Sequence, residues 1–294
     1  MTKNWAYLML SGSALFWSGN YVIGRAFAGE IAPITISYLR WVTALLLILP
    51  FIIKPVVTQW PVIRANLVPL IFMSAFGVAG FNTLSYIGLQ QTSATNGLLI
   101  NSFIPILIIL FSRIIPGTPV SALKLLGILI SSMGVLMLVS RGELEKLMAL
   151  ELNPGDLWIL LAAAVWAIYS ISLRWRPAAL SSMAFLGFTM IVGVLILSPL
   201  YWLNLSNEAD FVVNGANVMA IAYVALFASI FAFLCWNQGV NIVGAGTAGQ
   251  FIHLMPLFGT AMAMLFLGEQ LHWFHVAGAV AIGSGIMLSL KNSG

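Results

Sequence analysis

The sequence predicts an all-α integral membrane protein, with ten transmembrane helices arranged as two inverted five-helix repeats. Three observations predict it: the composition, the spacing of the apolar runs, and a likeness between the two halves. Of 294 residues, 61% are hydrophobic and 7% charged, against roughly 25% charged in an ordinary soluble domain. Mean hydropathy is +1.03. Twenty charges cannot give 31.8 kDa a polar shell. The composition therefore excludes a soluble enzyme, a nucleic-acid binder, a disordered chain and a disulfide scaffold. The pI of about 9.4 reflects 12 Lys/Arg against 8 Asp/Glu, scattered without a basic stripe. The one cysteine, Cys235, lies in an apolar run, so no intrachain disulfide forms.

A membrane helix needs about 20 apolar residues, because the hydrocarbon layer is roughly 30 Å thick and each residue rises about 1.5 Å. Ten runs qualify: 5–27, 33–53, 67–89, 95–115, 120–140, 157–175, 182–203, 217–238, 246–267 and 272–290. They are continuously apolar rather than alternating, which excludes a β-barrel. The first starts at Trp5, with no signal-peptide cleavage pattern before it, and places Ser13, Trp17, Asn20 and Gly24 on one face. The second opens at Pro33 and carries Tyr38 and Arg40. The third offers Asn82 and Tyr86, one helical turn apart. The fourth aligns Gly97, Asn101 and Pro105. In the fifth, Gly127, Ser131 and Gly134 form a small-residue face that predicts helix packing, with Gly278 and Gly285 of the tenth as its counterpart.

Breaks between runs are short and punctuated by Pro or Gly, as at Ile31-Ala32-Pro33, Pro116-Gly117-Thr118-Pro119 and Gly268-Glu269. The polar segment 141–156 divides the chain into a first repeat, 1–140, and a second, 157–294. It ends in Asn153-Pro154-Gly155-Asp156, a turn followed by a helix start. The sixth run holds Trp166 and Tyr169, the eighth ends in Trp236-Asn237-Gln238, and the ninth carries Gly246, Gln250, His253 and Pro256. Ten spans put both termini on one side. Lys/Arg residues concentrate at that side's helix ends, leaving Arg141 and Lys146 in the opposite loops. The expectation is a bacterial inner-membrane protein with cytoplasmic termini.

The halves align in order. At an offset of 149 residues, Trp17 meets Trp166, Arg25 meets Arg174 and Pro50 meets Pro199; at 151, Phe76 meets Phe227, Gly88 meets Gly239 and Pro105 meets Pro256. Five spans per half is an odd number, so the second half enters from the opposite side. That is the architecture of transporters that rock two inverted units about a midplane site.

The motifs Ala14 to Arg25 (ALFWSGNYVIGR), Tyr38-Leu39-Arg40-Trp41, Gly155-Asp156-Leu157 with Trp166-Ala167, the prolines Pro105 and Pro256, and Leu267-Gly268-Glu269 resemble the drug/metabolite transporter superfamily, EamA family. The resemblance covers nearly the whole chain. It implies ten helices, two inverted repeats and export of small metabolites. Within the family, the aromatic content of the expected cavity is similar to that of YddG-type aromatic amino-acid exporters. Glu269 and Arg40 have Thr118 and Thr189 as repeat mates, so any role carried over for them belongs to one half only.

Polar side chains in lipid face the bundle interior. The candidate residues for a solute pocket are Trp17, Asn20, Tyr38, Arg40, Asn82, Tyr86, Asn101, Trp166, Tyr169, Trp236, Gln250 and His253. Trp17 and Trp166 are expected to border a water-filled chamber. Indole and phenol faces stack on planar or cationic solutes at about 0.5–2 kcal/mol per contact. The asparagines either line the pocket or tie helices together. Arg40 either meets a helix C-terminal carbonyl or attracts a substrate carboxylate. His253 is either a hydrogen-bonded core residue or a gating and proton group. Arg25, near a span end, is expected to snorkel. Trp5, Trp60, Trp202 and Trp273 belong to interfacial belts. Gly97, Pro105, Gly246 and Pro256 are the expected hinges, because proline removes a backbone hydrogen bond and glycine permits bending.

No Asp or Glu falls at mid-membrane, so the solute either follows its own gradient or is coupled through His253. No catalytic pair, metal cluster or Walker-A pattern is present, so no cofactor and no enzyme activity are expected. The expected partners are a small-molecule solute and the lipid bilayer, with no nucleic acid, and the chain acts as a monomer or homodimer. The rival readings are a nucleotide-sugar carrier of the same superfamily, which needs several cavity cations, and a non-transporting scaffold or intramembrane enzyme.

Overall fold

Long apolar stretches separated by short turns fold into successive helices, because a helix satisfies its own backbone where no water is available. A computed structural model describes residues 2–28, 30–114, 121–143, 145, 153–204, 213–267 and 270–291. Among these residues there is no strand. The helical runs are α1 (Lys3–Ala26), α2 (Pro33–Thr58), α3 (Leu67–Gln91), α4 (Ala94–Arg113), α5 (Ala122–Val139), α6 (Pro154–Trp175), α7 (Ser182–Asn204), α8 (Gly215–Val243), α9 (245–267) and α10 (Trp273–Leu290). Eight of them, all but α1 and α9, are long and apolar enough to cross a membrane. The expected turn at 116–119, Gly268-Glu269 and, in the loop 141–156, residues 144 and 146–152 lie outside the described residues.

Boundaries differ most from expectation in the second run and in the eighth, which runs on to Val243 instead of ending at 238. The second run continues past Pro50 and Pro55 to Thr58, and a short helix, Trp60–Ala65, follows. Helices α3 and α8 each contain a π-helical segment, Ser74–Gly80 and Val224–Phe231, at matching positions of the two halves. Widened turns of this kind cluster at functional sites.

The packing has the same exchange symmetry. Helix α5 packs along α10 and α2 along α7. The pair α1–α8 corresponds to α6–α3, and α1–α9 to α6–α4. Glycines make the α5–α10 contact close, as expected. A Cβ on Gly127 would lie 2.5 Å from the Gly285 carbonyl oxygen, and one on Gly134 would lie 2.7 Å from that of Gly278.

The helix breaks fall where the prolines predict. Pro105 follows a turn at Ser102-Phe103 between Ala94–Asn101 and Ile104–Ile114. Pro256 follows the 3₁₀ stretch Gly249–His253 within α9. In both cases regular helix is interrupted about one turn before proline, where its ring would clash with a carbonyl. Between the halves, Asn153 and Asp156 form a capping box that starts α6. Asp156 also accepts the Thr92 hydroxyl at 2.5 Å, which ties α6 to the end of α3.

Candidate functional site

Arg40 is completely buried in α2. Its Nε donates to Ser229 Oγ of α8 at 2.8 Å. Its Nη1 lies 3.1 Å from Asn20 Oδ1 of α1, 2.8 Å from Asn82 Oδ1 and 2.8 Å from Tyr86 Oη, the last two on α3. Tyr86 in turn donates to Asn20 at 2.7 Å. Four helices from both halves therefore converge on one guanidinium. These acceptors are side chains, not helix carbonyls, so the first of the two expectations for Arg40 is not realised. Both π segments feed the network. Ser229 donates to Val224 O at 2.8 Å, and Asn82 Nδ2 lies 3.4 Å from Gly77 O, each five residues back.

A cage of rings adjoins it. Trp17 meets Trp166 edge-on with centroids 4.9 Å apart, and Trp236 lies 5.3 Å from Trp17 and 5.5 Å from Trp166. Phe233 joins the cage to Trp41, at 5.0 Å. Tyr169 lies 5.0 Å from Trp166 and donates to Asn237 at 2.6 Å. The Trp17 indole donates to Ala228 O, inside the second π segment, at 3.0 Å. Trp17 is 5% exposed and Trp166 1%. The chamber expected beside them is therefore filled by rings in this conformation, and Arg40 is sealed behind them.

Cavities open instead at the two ends of the bundle. One of about 470 Å³ includes Lys124, Ser170, Arg174, Asn241, Gly246 and Thr247, at the starting end of α5. Another of about 220 Å³ includes Leu98, Val139, Pro256, Thr260 and His275, near the far end of α5. Neither is lined by Arg40 or by the caged rings.

The structure brings together Asn20, Arg40, Asn82 and Tyr86, and beside them Trp17, Trp166, Tyr169 and Trp236. It separates the others. Tyr38 stacks on Tyr201 of α7, with centroids 4.3 Å apart. Asn101 is buried beside Tyr21 of α1. Gly97 packs against the Tyr21 ring, where a Cβ would sit 3.0 Å from it. Gln250 bonds Ser289 of α10. His253 is completely buried, with Nδ1 2.6 Å from Ser131 Oγ of α5 and Nε2 2.9 Å from Ser102 O. A carbonyl only accepts, so Nε2 donates to Ser102 O, and Nδ1 pairs with the Ser131 hydroxyl, which also lies 3.0 Å from Ile128 O. Both ring nitrogens are thereby engaged with α5 and α4. Arg25, exposed near the end of α1, donates to Leu89 O near the end of α3 at 3.1 Å.

Ser229, Phe233 and Trp41 belong to the site, although sequence reasoning did not select them. Ser229, Phe233 and Trp236 lie at one-turn spacing on α8, so the signal was present. Trp41 follows Arg40 directly.

Comparisons with known proteins agree with the helical architecture. The sequence profile of the EamA-like transporter family matches residues 4–140 and again 153–291. The uncharacterized transporter YyaM of Bacillus subtilis is 29% identical over 96% of this chain and 92% of its own length. Protein PecM of Dickeya dadantii is 23% identical over 92% of this chain and 88% of its own. A solved crystal structure has the same fold, with a TM-score of 0.76 at 17% identity, over 99% of this chain and 98% of that one. With both halves matched across nearly its full length, this multi-pass membrane protein belongs to the EamA-like transporter family.

Proposed function

We propose that the protein exports a small organic solute, an aromatic amino acid or a related planar compound, by alternating access. In this reading all ten helical runs cross the membrane. Residues 1–140 and 157–294 are two repeats inserted in opposite senses, because five crossings per repeat is an odd number. Both termini lie on the cytoplasmic side of a bacterial inner membrane, following the Lys/Arg bias.

The observation that carries the proposal is the exchange-symmetric packing closed over the Arg40 network and the ring cage. Swapping each helix of the first repeat for its counterpart regenerates the main pairings, as a two-unit rocking carrier requires. The sealed site belongs to an occluded state, with the cavities at the two ends as the approaches on either side. The breaks before Pro105 and Pro256 and the two π segments are where the helices bend. Gly246, at the mouth of one cavity, bends with them, and Gly97 lets α4 pass close to α1. Solute rings take the place of cage rings when one side opens. A nucleotide-sugar carrier needs several cations for its phosphates, whereas Arg40 is the one cation in the central network.

The test is uptake of labelled tryptophan or phenylalanine into inverted membrane vesicles, with other amino acids as competitors. Saturable uptake that depends on the protein is the expected result. Vesicles that take up neither compound beyond the control without the protein contradict the aromatic amino-acid reading.

A further inference from the structure

Arg40 has more donors than the protein gives it acceptors. Its Nε and Nη1 are bonded, but Nη2 has no partner, although the side chain is completely buried. The indole N–H of Trp41, whose ring lies 5.2 Å from the guanidinium carbon, also lacks an acceptor, as does that of Trp236. The unpartnered atoms at Arg40 and its neighbouring rings are thus donors, whereas the unpartnered acceptors of Asn101 and Gln250 belong to residues outside that network.

The same network is short of negative charge. Among the described residues, Asp156 is the one acid within α1–α10. It is engaged at the start of α6 with Thr92 and Asn153. A buried cation without a counterion is costly, and an intramembrane charge of this kind marks a substrate path.

We propose that Arg40 is the residue that binds a carboxylate of the transported solute. This assignment rests on the transporter reading above. The carboxylate supplies the acceptor that Nη2 lacks and the negative charge that the network lacks. One guanidinium balances one charge, which selects a monoanion over a phosphate dianion. The rings beside it cover the apolar part of the solute, and their π faces receive an ammonium group where the solute is zwitterionic. Purely cationic solutes are excluded, because they would place a second positive charge against Arg40.

The experiment is thermal stabilisation of the purified protein by acid–amide pairs. These are phenylalanine and phenylalaninamide, 3-phenylpropanoate and 3-phenylpropanamide, and leucine and leucinamide, with phenethylamine and inorganic phosphate alongside. A ligand that binds only the folded state raises the melting temperature with concentration. At least one acid is expected to stabilise the wild-type protein while its amide, the amine and phosphate do not. In Arg40→Gln the response disappears. In Arg40→Lys it persists with half-saturation about tenfold or more weaker, as loss of a charge-assisted planar contact predicts. The wild-type acid–amide comparison stands even where a variant fails to fold. Equal responses to acid and amide, a response to the amine or phosphate instead, an unaltered response in Arg40→Gln, or no response to any acid each overturn the assignment. Solute counterflow separates this claim from the one beneath it. Exchange of a cationic solute with no acid response removes the carboxylate assignment alone, whereas acid binding with no exchange of any solute removes the transporter reading alone.

Discussion

Replacing Asn20 with alanine isolates the energetics of the buried charge. Asn20 Oδ1 accepts two bonds, from Arg40 Nη1 at 3.1 Å and from Tyr86 Oη at 2.7 Å. Neutral interhelical hydrogen bonds in membrane proteins average about 0.6 kcal/mol, whereas bonds to a charged group contribute about 1.5–3 kcal/mol. The expected loss is about 2–3 kcal/mol, dominated by the bond to Arg40 and short of the full sum because Nη1 shares two hydrogens among Asn20, Asn82 and Tyr86. It stays below the roughly 3–5 kcal/mol of a stranded charge, because Asn82, Tyr86 and Ser229 still hold Arg40. Equilibrium unfolding in mixed detergent micelles measures this loss. The sharper form is a double-mutant cycle with Arg40→Met, in which Asn20→Ala costs about 0.6 kcal/mol because only the neutral bond remains. A single-variant loss under about 0.5 kcal/mol, or equal losses in the two backgrounds, refutes the reasoning that charge, not packing, organises these four helices.

Gly127→Leu drives its side chain into the Gly285 carbonyl, and the overpacking lowers stability by about 1–3 kcal/mol. Gly283→Ala, where nothing lies within 4 Å of the new Cβ, adds helix propensity without a clash and raises stability by about 0.5–1 kcal/mol, the opposite sign to Gly127→Leu. Asn153→Ala removes the cap of α6 and costs about 1 kcal/mol, read from the same unfolding curves. His253→Gln weakens the ties to Ser131 and Ser102 and lowers stability, while the dependence of flux on a pH gradient stays as in the wild type. Collapsing the pH gradient with an ionophore leaves the flux unchanged, and a flux that falls with the gradient contradicts the absence of a membrane relay.

The helices were legible in the sequence because their cause is local. Continuous apolar runs bounded by Pro and Gly leave the backbone one economical solution, and the small faces of α5 and α10 announced their close contact. Partner choice was legible only in part. Asn20, Arg40, Asn82 and Tyr86 were each identifiable as polar groups in apolar surroundings, but nothing in their spacing says that they meet on one guanidinium. Gln250 and His253 were equally conspicuous, yet they tie α9 to α10, α5 and α4 instead. Tyr38 lies two residues from Arg40, so helical geometry turns it to another face, where it meets Tyr201. The π segments escaped sequence reasoning because a widened turn needs no distinctive residue. Their trace was the repeat alignment, which sets residues 74–80 opposite 225–231. The filling of the expected chamber was illegible for a different reason, since a carrier's composition does not specify which of its conformations is closed.

The central claim is that two halves of this chain pass a small solute between them at the buried Arg40 site. Proteoliposome counterflow tests it most directly: vesicles are loaded with unlabelled phenylalanine, and labelled phenylalanine is added outside. The account predicts a transient overshoot of label with the wild-type protein and none with Arg40→Gln. Absence of overshoot from wild-type vesicles, or an overshoot untouched by Arg40→Gln, contradicts it.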